Sequence, residues 1–277
     1  YYLNELLKRN GVNVIGISRS GNWIHTDISN YGEVAIIVKN SRPDYIFHLA
    51  ANSTTRHQAL FENHATISTG AFNILEAVKQ FSPGTKIFLS GSGLQFKNNG
   101  LPIKETDLFD ATSAYAVSRI QSVYAARYYR SIGIKAYFGY FFNHESPMRP
   151  ERHISKRIAN AVKRIANGSN EKLEIGDISV KKEWTYAGDI VKGIFTLVQQ
   201  DNIFEATIGS GLAYSIEEWL EQCFGLIQKD WRDFVIERSG FISEYRILVA
   251  DPSTLFSLGW KPEVSFSSLA KMMVQNT

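Results

Sequence analysis

Apolar and polar residues in the first half of the chain recur with two different periods. Short, almost wholly apolar runs, typical of strands buried on both faces, are separated by longer segments with apolar residues at helical spacing. The first such segment, 1–10, ends before Gly11, which takes the position of a helix C-cap. This alternation predicts an α/β fold of βαβ units around a parallel sheet covered on both faces. The predicted strands are 12–17, 45–49, 86–89 and 136–142, and the predicted helices after the first are 31–40, 67–81 and 112–129.

The second half changes character after a polar loop at 143–147. Ser215 is followed three residues later by Glu218, the capping-box spacing that marks the start of a helix. The mixture of short strands and helices predicts a smaller α/β domain. Its predicted elements are a basic amphipathic helix at 153–167, strands at 173–175 and 206–208, and helices at 188–199, 215–227 and 266–274.

The domain boundary is predicted near the polar loop. We expect a dinucleotide-binding domain over 1–145 and a nucleotide-sugar-binding domain over 146–277, with the helix at 187–200 returning to the first domain. A doubly wound, Rossmann-like nucleotide fold normally begins with a strand and a glycine-rich turn that holds a pyrophosphate. Neither precedes the helix over 1–10, so we expect both to lie upstream of Tyr1.

Composition narrows the class of protein. With 277 residues, 44% hydrophobic and 21% charged, the chain can bury a substantial core. Its net charge of +3 is spread without a block of like charge, so neither a nucleic acid nor a membrane surface is expected as a partner. No apolar run reaches the roughly 20 residues that span a bilayer and no signal peptide opens the chain, so a cytoplasmic location is expected. Cys223, the only cysteine, is predicted to be a buried thiol, and no metal site is predicted.

Tyr115 and Arg119 form the candidate catalytic pair. They lie four residues apart in the predicted helix at 112–129, so they share one face of it. A fixed cation beside a phenol favours its ionised form, which suits a tyrosine that exchanges protons with a substrate. Taken alone, such a pair is more often two exposed residues without a role in catalysis. The neighbouring segments of the sequence favour a catalytic role for this pair.

Several short segments together carry a family resemblance. Tyr115 and Arg119 stand in a Tyr-x-x-x-Arg pattern. The other segments are His48-Leu49-Ala50-Ala51, Ile74-Leu75-Glu76-Ala77, Phe142-Asn143-His144-Glu145-Ser146-Pro147, Lys182-Glu183-Trp184, Asp251-Pro252-Ser253 and Leu258-Gly259-Trp260-Lys261-Pro262. With these, the chain resembles the extended short-chain dehydrogenase/reductase family nearly from end to end, with arginine in place of the usual lysine. Within that family it is most similar to the GDP-mannose 4,6-dehydratase branch.

The resemblance implies a nicotinamide cofactor in the first domain. Arg19 matches an arginine that pairs with a 2′-phosphate, which favours NADP over NAD, although alone it is equally a solvated turn residue. Asp27 matches a residue beside the adenine, although alone it is more often a helix cap or a solvated loop residue. The complete set of implied cofactor contacts is Arg19, Asp27, Ile28, Leu49, Ala50, Ala51, Ser53, Tyr115, Arg119, His144 and Arg149.

The resemblance also implies a GDP-sugar substrate. Its implied contacts are Asn143, Lys156, Arg157 and Lys182, since basic groups suit a nucleotide diphosphate. Without that context, the basic helix is more often a solvated face. The family often forms dimers through helices of the sheet domain, so a homo-oligomer, a dimer or a tetramer, is expected.

Two departures from the family concern catalysis. Gly91 and Gly93 stand where the family has a catalytic threonine and a catalytic glutamate, and glycine cannot remove the proton from C5 of the sugar. Ser92, or else Ser90, is the remaining candidate for a hydroxyl that orients a sugar oxygen. Arg119 keeps a positive charge, but its planar fork cannot reproduce the contacts of an ammonium group.

Three hypotheses follow from these departures. The first is a GDP-sugar oxidoreductase or epimerase that uses only the Tyr115 hydride step. The second is a dehydratase in which Glu145 or a nearby histidine has taken the lost role. The third is a catalytically silent protein that binds a nucleotide sugar or partners a functional paralogue.

Overall fold

The computed structural model describes residues 1–52 and 54–275. Its strands are β1 (Ile17–Ser18), β2 (Ile24–His25), β3 (Tyr45–His48), β4 (Lys86–Ser92), β5 (Ala136–Phe141), β6 (His144–Glu145), β7 (Leu173–Ile175), β8 (Lys181–Glu183), β9 (Thr185–Tyr186), β10 (Glu205–Ile208), β11 (Ala213–Ser215), β12 (Val235–Glu237) and β13 (Ile247–Leu248). Its α-helices are α1 (Tyr2–Arg9), α2 (Tyr31–Ser41), α3 (Leu60–Asn63), α4 (Gly70–Phe81), α5 (Ala114–Ser131), α6 (Ile154–Ala166), α7 (Ala187–Val198), α8 (Ile216–Gly225), α9 (Ser253–Ser257) and α10 (Phe266–Gln275).

The chain divides into two compact units. The first unit contains Tyr1–Lys97, Lys104–Phe141 and Lys192–Ile208. The second unit contains Asn98–Ile103, Phe142–Val191 and Gly209–Thr277. Helix α7 is shared, because its first residues belong to the second unit and the rest to the first.

The first unit is built on a parallel sheet. Its four strands lie in the order β10-β5-β4-β3, and every neighbouring pair is parallel. From Ile87 onward every residue of β4 is buried, as expected for a strand covered on both faces. The predicted α/β fold with a parallel sheet is confirmed.

The predicted strand at 12–17 is largely wrong. Only Ile17–Ser18 forms a ladder, and its partner is Ile24–His25 rather than a strand of the main sheet. Ile15 is 51% exposed, so the apolar run is not buried either. A strand needs neighbouring backbone to accept and donate its hydrogen bonds, and the described residues offer no partner strand to 12–16. An apolar run alone is therefore not enough to predict a strand of the sheet.

The predicted helix at 67–81 starts earlier than expected. Helical backbone begins at Leu60 with α3, continues through a π-helical segment, His64–Thr69, and runs directly into α4. Thr69, the residue before α4, has φ −61° and ψ −42° and makes no side-chain cap. Because no capping residue interrupts the segment, the period of its apolar residues underestimates the length of the helix.

The second unit has a separate aromatic core. The rings of Trp184 and Trp219 stack with centroids 4.5 Å apart, and those of Tyr214 and Phe266 stack at 4.1 Å. Helices α6, α8 and α10 bury their apolar faces around these rings. The predicted capping box at the start of α8 is confirmed.

Candidate active site

Strand β4 carries the site and continues through Ser90, Gly91 and Ser92, beyond the predicted end of the strand. These residues pair with the last three residues of β5. Ser92 then caps a 3₁₀ turn: its hydroxyl oxygen accepts the Leu94 N–H at 3.2 Å, and its own N–H donates to Gln95 Oε1 at 2.9 Å. The hydroxyl hydrogen of Ser92 is not used by these bonds, so it suits an acceptor on a ligand.

Gly91 is the residue type that its surroundings require. A Cβ atom there would stand 2.4 Å from Phe138 Cε1, 2.9 Å from Tyr140 Cδ1 and 2.9 Å from Gln95 Oε1. Two of these three atoms belong to rings packed beside each other, with centroids 5.1 Å apart. Aromatic side chains of β5 therefore fill the space that a larger residue at position 91 would need.

Tyr115 and Arg119 lie on the first turns of α5. The helix starts at a capped end, where Ser113 Oγ accepts the Ala116 N–H at 3.1 Å. Both side chains are on the predicted shared face, and Arg119 Cζ lies 5.1 Å from the centroid of the Tyr115 ring. Both residues are buried. The structure therefore brings the predicted pair together as a cation over an aromatic ring.

The guanidinium group of Arg119 reaches the end of β4. Its Nη1 donates to the carbonyl oxygen of Ser90 in a short contact and to the Ser90 hydroxyl at 3.0 Å. The Ser90 hydroxyl in turn donates to the carbonyl oxygen of His48, the last residue of β3, at 3.1 Å. Burial and the charge of Arg119 lower the pKa of the His48 ring to about 4, so this imidazole is neutral at pH 7.

Arg19 lies in an exposed cluster of polar side chains. Its Nη2 is 3.7 Å from Glu62 Oε1, and 57% of its side chain is exposed. Asn52 Nδ2 donates to the other oxygen of the same carboxylate at 2.8 Å. The contact of Arg19 is thus a loose surface ion pair, which an anion of higher charge can displace.

Asp27 and Ile28 are held by local contacts. Asp27 Oδ1 accepts both the N–H and the hydroxyl of Ser29, and these bonds lower the pKa of the Asp27 carboxyl. The Ile28 side chain is buried, and its Cδ1 lies 2.8 Å from where a Cβ of Gly70 would stand. Ile28 therefore packs against the start of α4.

The segment after β3 is open to solvent. Leu49 is 40% exposed, Ala50 is exposed and Ala51 is half-buried. An exposed leucine followed by two alanines at the carboxyl end of a parallel strand suits close approach of a flat ligand. Ser53, the remaining predicted contact here, lies outside the described residues.

In the second unit, Glu145 is the centre of a buried charged group. Its Oε2 accepts the Ser155 hydroxyl at 2.6 Å and lies 3.3 Å from Arg149 Nε. Lys182 is buried with its Nζ 4.6 Å from the Trp184 ring centroid, and it also interacts electrostatically with Glu145 and Arg149. Burial lowers the pKa of the Lys182 amine. Two cations share one carboxylate, so the group carries a surplus of positive charge.

His144 adjoins this group through the chain. Its Nδ1 lies 2.9 Å from the carbonyl oxygen of Phe142 and donates to it. Burial lowers the pKa of its imidazole. The predicted contacts His144, Arg149 and Lys182 are thus close together around Glu145.

The other predicted substrate residues make different contacts. Lys156 is buried on α6, its Nζ has no hydrogen-bond partner among the described residues, and burial lowers its pKa. Arg157 Nη2 donates to the carbonyl oxygen of Glu174 at 2.9 Å. Asn143 Oδ1 accepts the Tyr245 hydroxyl at 3.5 Å. None of these contacts involves the carboxylate of Glu145.

Glu183 is a structural carboxylate that the sequence did not single out for a role. It is fully buried, and its two oxygens accept from the N–H groups of Ala250, Gly211 and Ser210 and from the hydroxyl of Thr185. Burial raises the pKa of this carboxyl despite those donors. Its place inside the Lys182-Glu183-Trp184 segment, which matches the family, is the signal that could have pointed to it.

Comparison with known proteins identifies the family. The sequence model of GDP-mannose 4,6 dehydratase matches residues 9–273. The chain belongs to the GDP-mannose 4,6-dehydratase family. A relative from Arabidopsis thaliana, GDP-mannose 4,6 dehydratase 1, is 31% identical over 306 residues, which cover 99% of this chain and 85% of the relative. GDP-mannose 4,6-dehydratase of Vibrio cholerae serotype O1 is 26% identical, over 99% of this chain and 89% of that protein.

Solved structures share the fold. The dTDP-glucose 4,6-dehydratase of Bacillus anthracis, in complex with NAD, aligns with a TM-score of 0.85 at 17% identity, covering 99% of this chain and 91% of the other. RMD from Pseudomonas aeruginosa, complexed with NADPH, aligns with a TM-score of 0.84 at 18% identity, over 98% and 92% of the two chains. The predicted membership of the extended short-chain dehydrogenase/reductases and the prediction of an enzyme of that type are confirmed.

None of the helices in the described ranges is long and apolar enough to cross a membrane.

Proposed function

We propose that this member of the GDP-mannose 4,6-dehydratase family is an NADP-dependent enzyme that oxidises or reduces the hexose of a GDP-sugar without removing water from it. The observation that carries the proposal is the pairing of Tyr115 with Arg119, whose Cζ lies 5.1 Å from the tyrosine ring centroid. A buried cation beside a phenol compensates the negative charge that its oxygen carries while a proton passes between it and a substrate.

The cofactor is assigned to the first unit. Leu49 and Ala50, which are exposed, and the half-buried Ala51 offer a surface after β3 that fits the nicotinamide ribose. Arg19 supports NADP, because a 2′-phosphate is a stronger partner for its guanidinium than the Glu62 carboxylate at 3.7 Å. When bound, the nicotinamide accepts or donates the hydride.

Tyr115 moves the proton of the same step. In the oxidative direction its phenolate accepts the proton of the sugar hydroxyl as the carbon loses hydride, and in the reductive direction the phenol returns that proton to the oxygen. The Ser92 hydroxyl, with its hydrogen unused inside the 3₁₀ turn, orients the sugar oxygen. Arg119 keeps the charge of the phenolate compensated throughout.

Gly91 and Gly93 argue against a dehydration step. In the family, the side chains at these positions help to remove the C5 proton and expel the C6 hydroxyl, and glycine supplies neither. The rings of Phe138 and Tyr140 lie where a side chain at position 91 would go, so the change is supported by the packing around it. This favours a reductase or an epimerase over a dehydratase.

The diphosphate of the GDP-sugar is assigned to basic residues of the second unit. Lys182 and Arg149 are two basic groups beside one carboxylate, that of Glu145, and such an arrangement suits a phosphate. The Lys156 amine, buried without a hydrogen-bond partner among the described residues, is a further donor for the nucleotide. Asn143 and Arg157 complete the proposed contacts.

A homo-oligomer is proposed through α4 and α5. A groove of about 620 Å³ runs between the π-helical segment, α4 and α5. Phe72, Tyr124 and Tyr128 line it, and they are 43%, 59% and 59% exposed. Exposed aromatic residues clustered on a helix pair suit a symmetric contact with a second copy of the same face.

Product analysis tests the proposed reaction. The protein is incubated with GDP-mannose and NADP, and separately with a GDP-4-keto-hexose and NADPH, and the sugars are identified by mass spectrometry and NMR. We expect a keto sugar that has lost two hydrogens in the first reaction, or an epimer, and a reduced sugar in the second. A 4-keto-6-deoxy product from GDP-mannose, formed by loss of water, contradicts the proposal in favour of a dehydratase. Tight binding of GDP-mannose without turnover in either reaction contradicts it in favour of a silent binding protein.

A further inference from the structure

Arg119 carries its charge into a part of the first unit that solvent hardly reaches. The residue is 4% exposed, and no carboxylate within 1–52 or 54–275 forms an ion pair with it. Its Nε also lacks a hydrogen-bond partner in that part of the chain. A buried charge without a counter-ion is costly, so oriented polar groups must hold it in place.

Two oxygen atoms of one residue face this guanidinium. Nη1 of Arg119 donates to the carbonyl oxygen of Ser90 and, at 3.0 Å, to its hydroxyl oxygen. The same hydroxyl gives its hydrogen to the carbonyl of His48 at 3.1 Å. Because its hydrogen is committed to His48, the hydroxyl directs a lone pair at Arg119. This arrangement links β3, β4 and α5.

The link determines where the charge lies with respect to Tyr115. An arginine side chain has several rotatable bonds, so it stays in one position only where contacts offset its loss of rotamer freedom. We propose that Ser90 is a positioning residue, whose hydroxyl holds the Arg119 guanidinium over the Tyr115 ring. Its consequence for turnover rests on the proposed function, whereas the positioning itself holds whichever reaction the chain performs.

This role also sets Ser90 apart from Ser92. The Ser90 hydroxyl donates to His48 and accepts from Arg119, so it is occupied within the protein. It is therefore not the donor to a sugar oxygen. Ser92, whose hydroxyl accepts the Leu94 N–H in a bond that leaves its hydrogen unused, remains the candidate donor to a sugar oxygen.

The first test is spectroscopic and needs no substrate. In ¹⁵N-labelled protein, a guanidinium that is held by hydrogen bonds gives resolved, slowly exchanging Nη–H signals, and the Arg119 signals are assigned by their absence in Arg119→Lys. We expect Ser90→Ala and Ser90→Cys to lose the signal of the Nη1 hydrogen that binds the hydroxyl, although the bond to the Ser90 carbonyl remains. Ser90→Thr, which keeps the hydroxyl, should retain that signal. Ser118→Ala is the matched control. Ser118 is a buried serine on α5, the helix that carries Arg119, and its hydroxyl donates to the carbonyl oxygen of Ala114 at 3.0 Å.

The second test is kinetic. Hydrogen bonds to charged groups are worth enough for Ser90→Ala to lower kcat about ten- to a hundredfold, with KM within about twofold of the wild type. Ser90→Thr restores most of kcat. In an Arg119→Lys background the Ser90→Ala substitution adds no further loss, because its effect passes through the guanidinium.

The outcomes separate the two proposals. Retention of the signal of the hydroxyl-bound Nη1 hydrogen in both Ser90→Ala and Ser90→Cys overturns the positioning role, as does a full additional loss of kcat in the Arg119→Lys background. If the wild type turns over no GDP-sugar, the proposed function fails, while loss of that signal in Ser90→Ala still upholds the positioning of Arg119.

Discussion

At the scale of single residues, Glu205 connects three side chains of the first unit. Its carboxylate accepts two bonds from Arg127, at 2.9 and 2.7 Å, one from the Tyr140 hydroxyl at 2.7 Å, and a short contact from Arg130. Only 13% of its side chain is exposed. Burial raises the pKa of this carboxyl, but the bonds from Arg127 and Tyr140 and the charge of Arg130 outweigh burial and lower it overall.

Replacing this carboxylate tests its contribution to stability. Glu205→Gln leaves the half-buried guanidinium groups of Arg127 and Arg130 without their anion, so we expect it to lower the free energy of unfolding by about 2 kcal/mol at pH 7. Urea unfolding followed by circular dichroism measures the change. Glu174→Gln is the control, since that carboxylate is 67% exposed and 3.6 Å from Arg238, and its loss costs less than about 1 kcal/mol.

The same substitution has a defined pH dependence. A carboxyl whose pKa is lower in the folded state stabilises the fold above its unfolded value, 4.5, and this stabilisation is lost as pH falls through the folded value. The difference between wild type and Glu205→Gln therefore narrows below about pH 4.5. An equally large difference at pH 3 and pH 7 would rule out this account.

Sequence reasoning at this scale succeeded where spacing alone determines geometry. Tyr115 and Arg119 share a face because they are four residues apart on a helix. The contact of Arg119 with Ser90 was not predictable, because 29 residues separate them and the rotamer depends on how α5 packs on the sheet. The close packing of Phe138 and Tyr140 against Gly91 was likewise not predictable, because it depends on the register of β4 and β5.

At the scale of elements, the capping box of α8 is a local device. Ser215 Oγ accepts the Glu218 N–H at 2.9 Å, and Glu218 Oε2 accepts the Ser215 N–H at 2.6 Å. Each bond satisfies a backbone donor that the first turn of a helix leaves free. Residues three apart supply both bonds, so sequence alone predicted them.

Removing the cap tests how far it stabilises the second unit. We expect Ser215→Ala to destabilise that unit by about 1 kcal/mol, because the Glu218 N–H loses its acceptor. Urea unfolding followed by tryptophan fluorescence reports on the unit that holds the stacked Trp184 and Trp219. Ser131→Ala, at the exposed end of α5, should change stability by no more than about 0.5 kcal/mol. Equal effects of the two substitutions would show that the cap contributes nothing specific.

Elements that depend on distant partners were harder to predict. Of the strand predicted at 12–17, the structure has only Ile17–Ser18, because a strand exists only where another strand pairs with it. By contrast, α5 and β5 were predicted within a few residues, since each has a clear period and a capping or turn residue at its ends.

At the scale of the molecule, the order of elements predicted the parallel sheet. Helices between apolar strands require crossovers, and crossovers require parallel strands. The stacked aromatic core of the second unit could not be predicted in this way. Trp184 lies between β8 and β9 and Trp219 lies on α8, and nothing in their local spacing says that the rings meet.

The proposed homo-oligomer is tested by mass in solution. We expect sedimentation velocity to give twice or four times the 31.3 kDa of one chain. The double substitution Tyr124→Lys and Tyr128→Lys should shift the protein to the monomer, because it places charges on the proposed contact face. Ile242→Lys, at a side chain 89% exposed in the second unit, is the control and should leave the mass unchanged. A monomeric wild type, or a double variant with the wild-type mass, argues against this interface.

The role of Tyr115 is tested most directly by comparing GDP-sugar conversion in the wild type and in Tyr115→Phe. Both proteins are saturated with NADP or NADPH, conversion of the sugar is followed by NMR, and binding of GDP-sugar and cofactor is measured separately by calorimetry. The account predicts that Tyr115→Phe binds both ligands as the wild type does and converts the sugar at least about a hundredfold more slowly. Conversion by Tyr115→Phe at the wild-type rate would contradict it.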